Sequence, residues 1–182
     1  MMCLGKQDDW NILRINDNPK APGLDCTLKY PPGWSVSKGE RPHVLHLIKK
    51  ENKYVIFMVN MLPMEVSAED VDDMFTEEDI KTMIPKNSHF IKCSKTKLEG
   101  QPAWIIMYSQ TAERLGKRVT DSVLVCLLVY KKFMIQMQSH YVLTPEDIAN
   151  APNNPTITAE YKAAIKEGLE IFNTLVINNI YK

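Results

Sequence analysis

The chain has 182 residues, of which 45% are apolar and 24% are charged, which is enough apolar material to bury the core of one domain. Lysine and arginine together number 22, as do aspartate and glutamate, so no net charge attracts the chain to nucleic acid or to an anionic membrane. No apolar run approaches the roughly 20 residues that a membrane-spanning helix requires, and we expect no transmembrane segment.

The N-terminal residues are mostly polar and include the turn-rich stretch "NDNPKAPG" at positions 16–23. This composition predicts a flexible lead-in over residues 1–23 and a single domain over residues 24–182. Cys3 lies in the lead-in, and a cysteine near a mature N-terminus is a candidate for lipid attachment. An exported or lipid-anchored protein and a cytoplasmic one therefore both stay open.

The first predicted strand, residues 24–30, alternates apolar and polar side chains and ends in "YPPGW". That stretch could be a polyproline ligand or a turn. The prolines are adjacent, without Pro-x-x-P spacing, and Gly33 tolerates the positive φ of a type II turn. The turn is the better interpretation, with Tyr30 and Trp34 packing at its two ends.

Two further strands and a helical segment are predicted next. The strands cover residues 43–48 and 54–62, joined by a turn at 49–53. Ser67 and Thr76 both resemble helix N-caps, so residues 67–84 form either one bent helix or two short ones, ended by Pro85.

The rest of the chain predicts an antiparallel meander and a closing helix. Its four strands cover residues 89–98, 101–113, 118–130 and 133–143, with turns at Glu99-Gly100, at "RLGK" and at Lys131-Lys132. The second and third strands are apolar at odd and even positions alike, so both faces must be covered. The second cover is an amphipathic helix of about five turns, from a Thr158 cap to Val176, after a proline-rich connection at residues 144–158.

The turn and cap residues resemble those of the PsbP-like family over residues 24–180. The residues that carry this resemblance form three groups along the chain: Tyr30, Pro31, Gly33 and Trp34; Ser67, Glu69 and Asp70; and Gly100, Pro102, Ala103 and Trp104. The resemblance implies an α+β fold in which a central antiparallel sheet of about six to seven strands carries helices on both faces. It also implies a protein that binds other proteins or assemblies and has no shared catalytic motif.

The motifs of several enzyme classes are absent from the sequence. The seven glycines form neither a nucleophile elbow nor a phosphate-binding loop. The four cysteines have no metal-site spacing, and Cys26, Cys93 and Cys126 lie in strand-like segments as small buried hydrophobes. We therefore expect no enzyme activity, no cofactor and no metal.

Two sets of residues are candidates for binding. Gln136, Gln138 and His140 share one face of the last strand, which is either an exposed sheet face or, with Trp104 nearby, the floor of a ligand cleft beneath the 144–158 connection. The second set is a two-signed surface, in which eight carboxylates between Glu65 and Asp79 precede a basic strand bearing Lys92, Lys95 and Lys97.

The leading hypothesis is a non-enzymatic PsbP-like domain that binds a protein partner or assembles at a complex, with Lys95 and Lys97 steering the partner. The alternative is a carrier or sensor of a small ligand, which would use the cleft beside the last strand of the meander.

Overall fold

The computed structural model describes residues 7–144 and 159–182. Its strands are β1 Asn11–Ile15, β2 Cys26–Tyr30, β3 Ser35–Lys38, β4 Val44–Lys50, β5 Lys53–Val66, β6 Ser88–Leu98, β7 Gln101–Arg114, β8 Lys117–Val142 and β9 Val176–Ile177. Its helices are α1 Ala68–Met74, α2 Glu77–Met83 and α3 Ala159–Phe172, with 3-10 turns at Gln7–Asp9 and Asn178–Tyr181.

All strand pairings are antiparallel, in two sheets. The larger sheet has six strands in the order β3-β4-β5-β8-β7-β6, and the smaller has three in the order β1-β2-β9. The helices α1 and α2 lie on one face of the larger sheet and α3 lies on the other. An apolar cluster forms on each of the two faces. The predicted α+β class, an antiparallel sheet with helices on both faces, is confirmed.

Local sequence signals place most turns and caps. Gly33 has φ of 86° between β2 and β3, so "YPPGW" is a turn, and positive φ at Glu99, Gly100, Leu115 and Gly116 makes the tight turns on either side of β7. Ser67 and Thr76 each accept a hydrogen bond from a backbone N–H three residues on, and the predicted helical segment is two short helices.

The predicted hairpin at Lys131-Lys132 is wrong, because β8 runs without a turn from Lys117 to Val142. Its first half pairs with β7 and its second half pairs with β5. Lys131 has φ of 54° and lies where the β5 register shifts, which is the geometry of a bulge. A bulge and a two-residue turn interrupt a strand with the same polar residues, and the sequence does not tell them apart.

Both ends of the chain also differ from the prediction. Residues 11–15, expected in the lead-in, form β1 against β2, and Ile15 is fully buried. The closing helix ends at Phe172 rather than near Val176, and Val176–Ile177 pair with β2 instead. These short strands are stabilised by their pairing with β2. Their own sequences therefore carry little of the alternating pattern that predicts a strand. Cys3, the Thr158 cap and most of the 144–158 connection lie outside the described residues.

The apolar core consists of two clusters on opposite faces of the larger sheet. Along β8, Leu124, Cys126 and Leu128 belong to the larger cluster, under α3 and the three-stranded sheet. Val123, Val125 and Leu127 point the other way, into a smaller cluster with Ile80 of α2. The prediction that this strand is covered on both faces is confirmed.

The cysteines predicted to be buried are so to different degrees. Cys26 and Cys126 are fully buried, and burial raises the pKa of both thiols to about 12, whereas Cys93 is half-buried. Within the described ranges, no helix is both long and apolar enough to cross a bilayer.

Candidate functional site

The face of the larger sheet that carries α1 and α2 is covered over only part of its width. We call the part over β6, β7 and the first half of β8 the covered half, because Ile80 of α2 is buried there against strand residues such as Ile106 and Val123. The part over β4, β5 and the second half of β8 we call the open half. It carries a cleft of about 850 Å³.

The floor of the cleft comes from alternate residues of β5 and β8, because successive side chains of a strand point to opposite faces. The β5 residues on the floor are Tyr54, Ile56 and Met58, and the β8 residues are Gln136, Gln138 and His140. Three β8 residues that point to the other face, Phe133, Ile135 and Met137, are buried in the larger cluster.

The polar floor residues form a ladder of hydrogen bonds. His140 Nε2 lies 3.1 Å from Oε1 of Gln138, and Gln138 Nε2 donates to Oε1 of Gln136 at 3.1 Å. Because an amide oxygen only accepts, Nε2 of His140 carries the proton. The ladder leaves the two glutamines half-buried along the cleft and His140 buried at its base.

A second polar group lies at the base of the cleft, around the buried Asp121. Tyr54 donates its hydroxyl to Asp121 Oδ2 at 3.2 Å and stacks on the His140 ring with 4.4 Å between centroids. His140 Nδ1 lies 3.8 Å from the same carboxylate oxygen. Burial raises the pKa of Tyr108 to about 12, with smaller contributions from Tyr54 and Asp121, so this phenol stays protonated over the physiological range.

The walls of the cleft differ from each other in chemistry. On one side Met83 and Pro85, from the end of α2, stand beside Tyr108 and Gln110. On the other side, β3, β4 and the loop between them provide the charged residues in the described lining, which are Lys38, Glu40, Arg41 and Lys49. The cleft therefore has one apolar and amide wall and one basic wall.

The structure brings together three of the six residues predicted for binding. Gln136, Gln138 and His140 line the cleft, while Trp104 packs in the smaller cluster and does not line it. Their role in binding stays a prediction. The 144–158 connection, expected to lie above the cleft, falls almost entirely outside the described residues.

Lys95 and Lys97 lie on β6, at the far edge of the sheet. Lys95 Nζ lies 3.1 Å from Asp72 Oδ1 and 2.9 Å from its carbonyl oxygen, and 5.5 Å from the centroid of the Trp104 ring. The acidic helix and the basic strand are thus neighbours, as the two-signed surface requires. The charge of Lys95 is nevertheless directed at its own α1.

Sequence reasoning missed the aromatic and basic parts of the cleft. A polar residue inside an apolar strand is a sequence signal for a site, and Asp121 is such a residue. No such signal marks the other residues that were missed, which are Tyr54, Lys38, Arg41 and Lys49. No group of three or more histidine, cysteine, aspartate or glutamate residues in the described part of the chain could hold a metal ion. The described cleft offers amides, phenols, an imidazole, basic side chains and apolar surface, all of which can contact a ligand.

No known family profile matches the chain, and no curated protein matches it in sequence. Solved structures do resemble it. The Ran-binding protein Mog1p of Saccharomyces cerevisiae matches at 12% identity with a TM-score of 0.55, over 92% of this chain and 96% of that one. LpqN of Mycobacterium tuberculosis, involved in cell envelope biogenesis, matches at 12% identity with a TM-score of 0.51, over 92% and 90%. A cyanobacterial PsbP from Synechocystis gives a TM-score of 0.48 at 11% identity, over 91% and 92%.

At these identities the likeness shows the fold alone. This chain has the PsbP-like fold, and the resemblance drawn from its turn and cap residues is confirmed at that level.

Proposed function

We propose that this chain is a non-enzymatic PsbP-like domain that binds a protein partner, and that the partner docks on the open half of the sheet. One observation carries the proposal: a single sheet face is sealed over one half by Ile80 of α2, whereas the other half presents Ile56 and Met58 in an open cleft. An apolar and aromatic surface beside a polar rim is typical of a protein interface.

The composition of the floor supports a macromolecular partner. Tyrosine and methionine are enriched at the cores of interfaces. Met58 on the floor and Met83 on one wall give the cleft two flexible apolar side chains that can adapt to a partner. Tyr54 is held by its stacking on His140 and its hydrogen bond to Asp121, so little side-chain entropy is lost when it is covered. Mog1p, which resembles this chain in fold, is named as a Ran-binding protein, so at least one protein of this fold binds another protein.

Site-specific photo-cross-linking tests the proposal. A photoreactive amino acid in place of Met58 should give a covalent adduct of one mass in cells that make the protein. The same amino acid in place of Lys162, exposed on α3, should give none. An adduct of equal yield at both positions, or no adduct at Met58, would contradict docking in the cleft.

A small-ligand carrier is the second candidate. It is supported by the volume of the cleft, about 850 Å³, which falls within the range of ligand pockets, and by the hydrogen-bonding ladder from Gln136 to His140. A native mass spectrum and a thermal-shift screen would reveal a bound ligand. A ligand that is lost in Gln138→Leu would favour the carrier, and its absence in both measurements would leave the protein partner.

Export and lipid anchoring are a separate question, which depends on Cys3. The mass of the N-terminus of the protein isolated from its own cells tests it. A diacylglycerol adduct on Cys3 would establish the anchor, and an unmodified Cys3 would contradict it.

A further inference from the structure

We propose that the cleft of the open half takes an acidic segment of a protein partner, whose carboxylates lie against Lys38, Arg41 and Lys49. The inference rests on the proposed function, because it names the chemistry of the segment that docks there. It goes beyond that function, since a cleft for a protein partner could equally fit a neutral or a basic segment.

The first step is the distribution of charge. The chain has equal numbers of basic and acidic residues, yet the charged residues that line the cleft are three basic ones and Glu40, all on one wall. Among the described residues, the opposite wall and the floor add no lysine, arginine, aspartate or glutamate to the lining. A cleft whose lining carries an excess of one sign of charge concentrates segments of the opposite sign.

The second step is that these three cations form no ion pair within the described part of the chain. Other basic residues form ion pairs there: Lys53 with Glu167, Lys81 with Glu77, and both Arg14 and Lys182 with Asp25. No described carboxylate lies within ion-pair distance of Lys38, Arg41 or Lys49, and all three are exposed. A partner carboxylate would therefore not have to displace an internal one.

The third step is that the basic wall is held in place. Lys20 Nζ donates to the carbonyl oxygens of Gly39, Arg41 and Val44 at 2.7, 2.9 and 2.8 Å, and so fixes the loop between β3 and β4. The positive field reaches His46, whose pKa is lowered first by burial and then by the charges of Lys38 and Lys20. The backbone of this loop is already held, so binding does not have to order it.

The chemistry of the other wall favours a protein over a nucleic acid. A nucleic acid needs a basic surface that follows its backbone, and three cations facing Met83 and Pro85 do not provide one. A segment that alternates carboxylates with apolar side chains satisfies both walls at once. The acidic side chains would meet the basic wall, and the apolar ones would meet Met83 on the opposite wall and Ile56 and Met58 on the floor.

Selection from a phage-displayed library of random peptides tests this without a known partner. The wild-type protein should enrich peptides that combine aspartate or glutamate with apolar residues. The triple variant Lys38→Glu, Arg41→Glu, Lys49→Glu should bind the selected peptides about tenfold more weakly and should itself enrich basic ones. The affinity of the wild type should also fall as salt rises.

The matched control carries the same change in net charge away from the cleft, as Lys117→Glu, Arg118→Glu, Lys162→Glu, and should bind the selected peptides as the wild type does. A floor variant, Ile56→Asp, separates the two proposals. Neutral or basic peptides that lose binding in the floor variant would overturn the acidic segment and leave the docking cleft standing. Both proposals would be overturned if no peptide is enriched, or if the enriched peptides bind both cleft variants as tightly as they bind the wild type. The acidic protein segment would be overturned if a labelled single-stranded oligonucleotide binds more tightly than any peptide.

Discussion

The covered and open halves share one strand, β8, and differ in what that strand presents. In the covered half its side chains toward α2 are Val123, Val125 and Leu127, and in the open half the corresponding positions are Gln136, Gln138 and His140. On the opposite face the same strand presents apolar residues to the larger cluster in both halves, from Leu124 to Leu128 and from Phe133 to Met137. The polar row is therefore a local change that coincides with the end of the helical cover, rather than a weak strand.

The length of α2 explains where the cover stops. The helix has seven residues, about 10 Å of rise, and ends at Met83 with Ile84 in an extended conformation before Pro85. Proline disfavours helical geometry in the residue before it, so the helix cannot extend over the glutamines. The comparison teaches that a short, well-capped helix can cover one half of a sheet face and leave the other half open.

The largest expected effect is a difference in stability between a variant in the covered half and a variant in the open half. Ile80→Ala removes a fully buried side chain of the covered half and should lower the free energy of unfolding by about 2–5 kcal/mol. Ile56→Ala, in the half-buried floor of the open half, should cost about 1 kcal/mol. Urea denaturation followed by circular dichroism measures both, at an unchanged denaturant slope. Equal losses would show that the cleft floor is packed as tightly as the core.

The next effect concerns the opposite face, where α3 packs closely on β8. A Cβ on Gly168 would lie 2.6 Å from Ser139 Oγ and 2.9 Å from Ser139 Cβ. Gly168→Ala should destabilise the protein by about 1–3 kcal/mol, although alanine favours a helix. Ala163→Gly, on the exposed side of α3, is the control and should cost about 1 kcal/mol through helix propensity alone. A gain in thermal stability for Gly168→Ala would mean that α3 is held less closely.

Much of this architecture could be predicted because it depends on local chemistry. Ser67 and Thr76 cap their helices, Gly33 and Gly100 make their turns, and the doubly apolar run in β8 requires two covers. These signals act between neighbouring residues, and three of the residues that provide them, Gly33, Ser67 and Gly100, also carry the resemblance to the PsbP-like family.

The features that were not predicted depend on partners distant in sequence. The strand β1 is defined by its pairing with β2, and the continuity of β8 by its second partner, β5. The row from Gln136 to His140 was predicted to share one face, but only the position of α2 makes that face a cleft. The basic wall comes from residues on two strands and a loop, which no spacing rule relates.

The third effect tests whether the N-cap of α2 maintains the covered half. Thr76 and Asp79 form a reciprocal capping box, with the Thr76 N–H donating to Asp79 Oδ2 at 2.8 Å and the Asp79 N–H donating to Thr76 Oγ1 at 3.2 Å. Thr76→Ala should cost about 1 kcal/mol in urea denaturation. Thr76→Ser, which keeps the hydroxyl, should retain most of that stability. A neutral Thr76→Ala would show that packing by Ile80 alone holds the helix.

The same capping box predicts a pH dependence. The hydrogen bonds from the Thr76 backbone N–H and then from its hydroxyl hold the pKa of Asp79 below its usual value near 4. The stabilisation is therefore present above that value and is lost as the pH falls through the folded-state pKa. The stability difference between wild type and Asp79→Asn should be full at pH 6 and should shrink below about pH 4. A difference that persists at pH 2 would contradict this origin.

The smallest effect concerns the outer edge of the covered half, where Lys95 and Lys97 were predicted to act together. Lys95 and Asp72 are 47% and 61% exposed, and the Lys95 ammonium also lies against Trp104, so solvent and salt screen the pair. Lys95→Met, which keeps an apolar stem on Trp104, should cost about 0.2–1 kcal/mol in low salt and less at high salt. Lys97→Met should lie within about 0.5 kcal/mol of the wild type, because its charge is exposed. If Lys97→Met costs as much as Lys95→Met, both charges serve the fold; if only Lys95→Met does, Lys97 alone keeps a charge at this edge that a partner can contact.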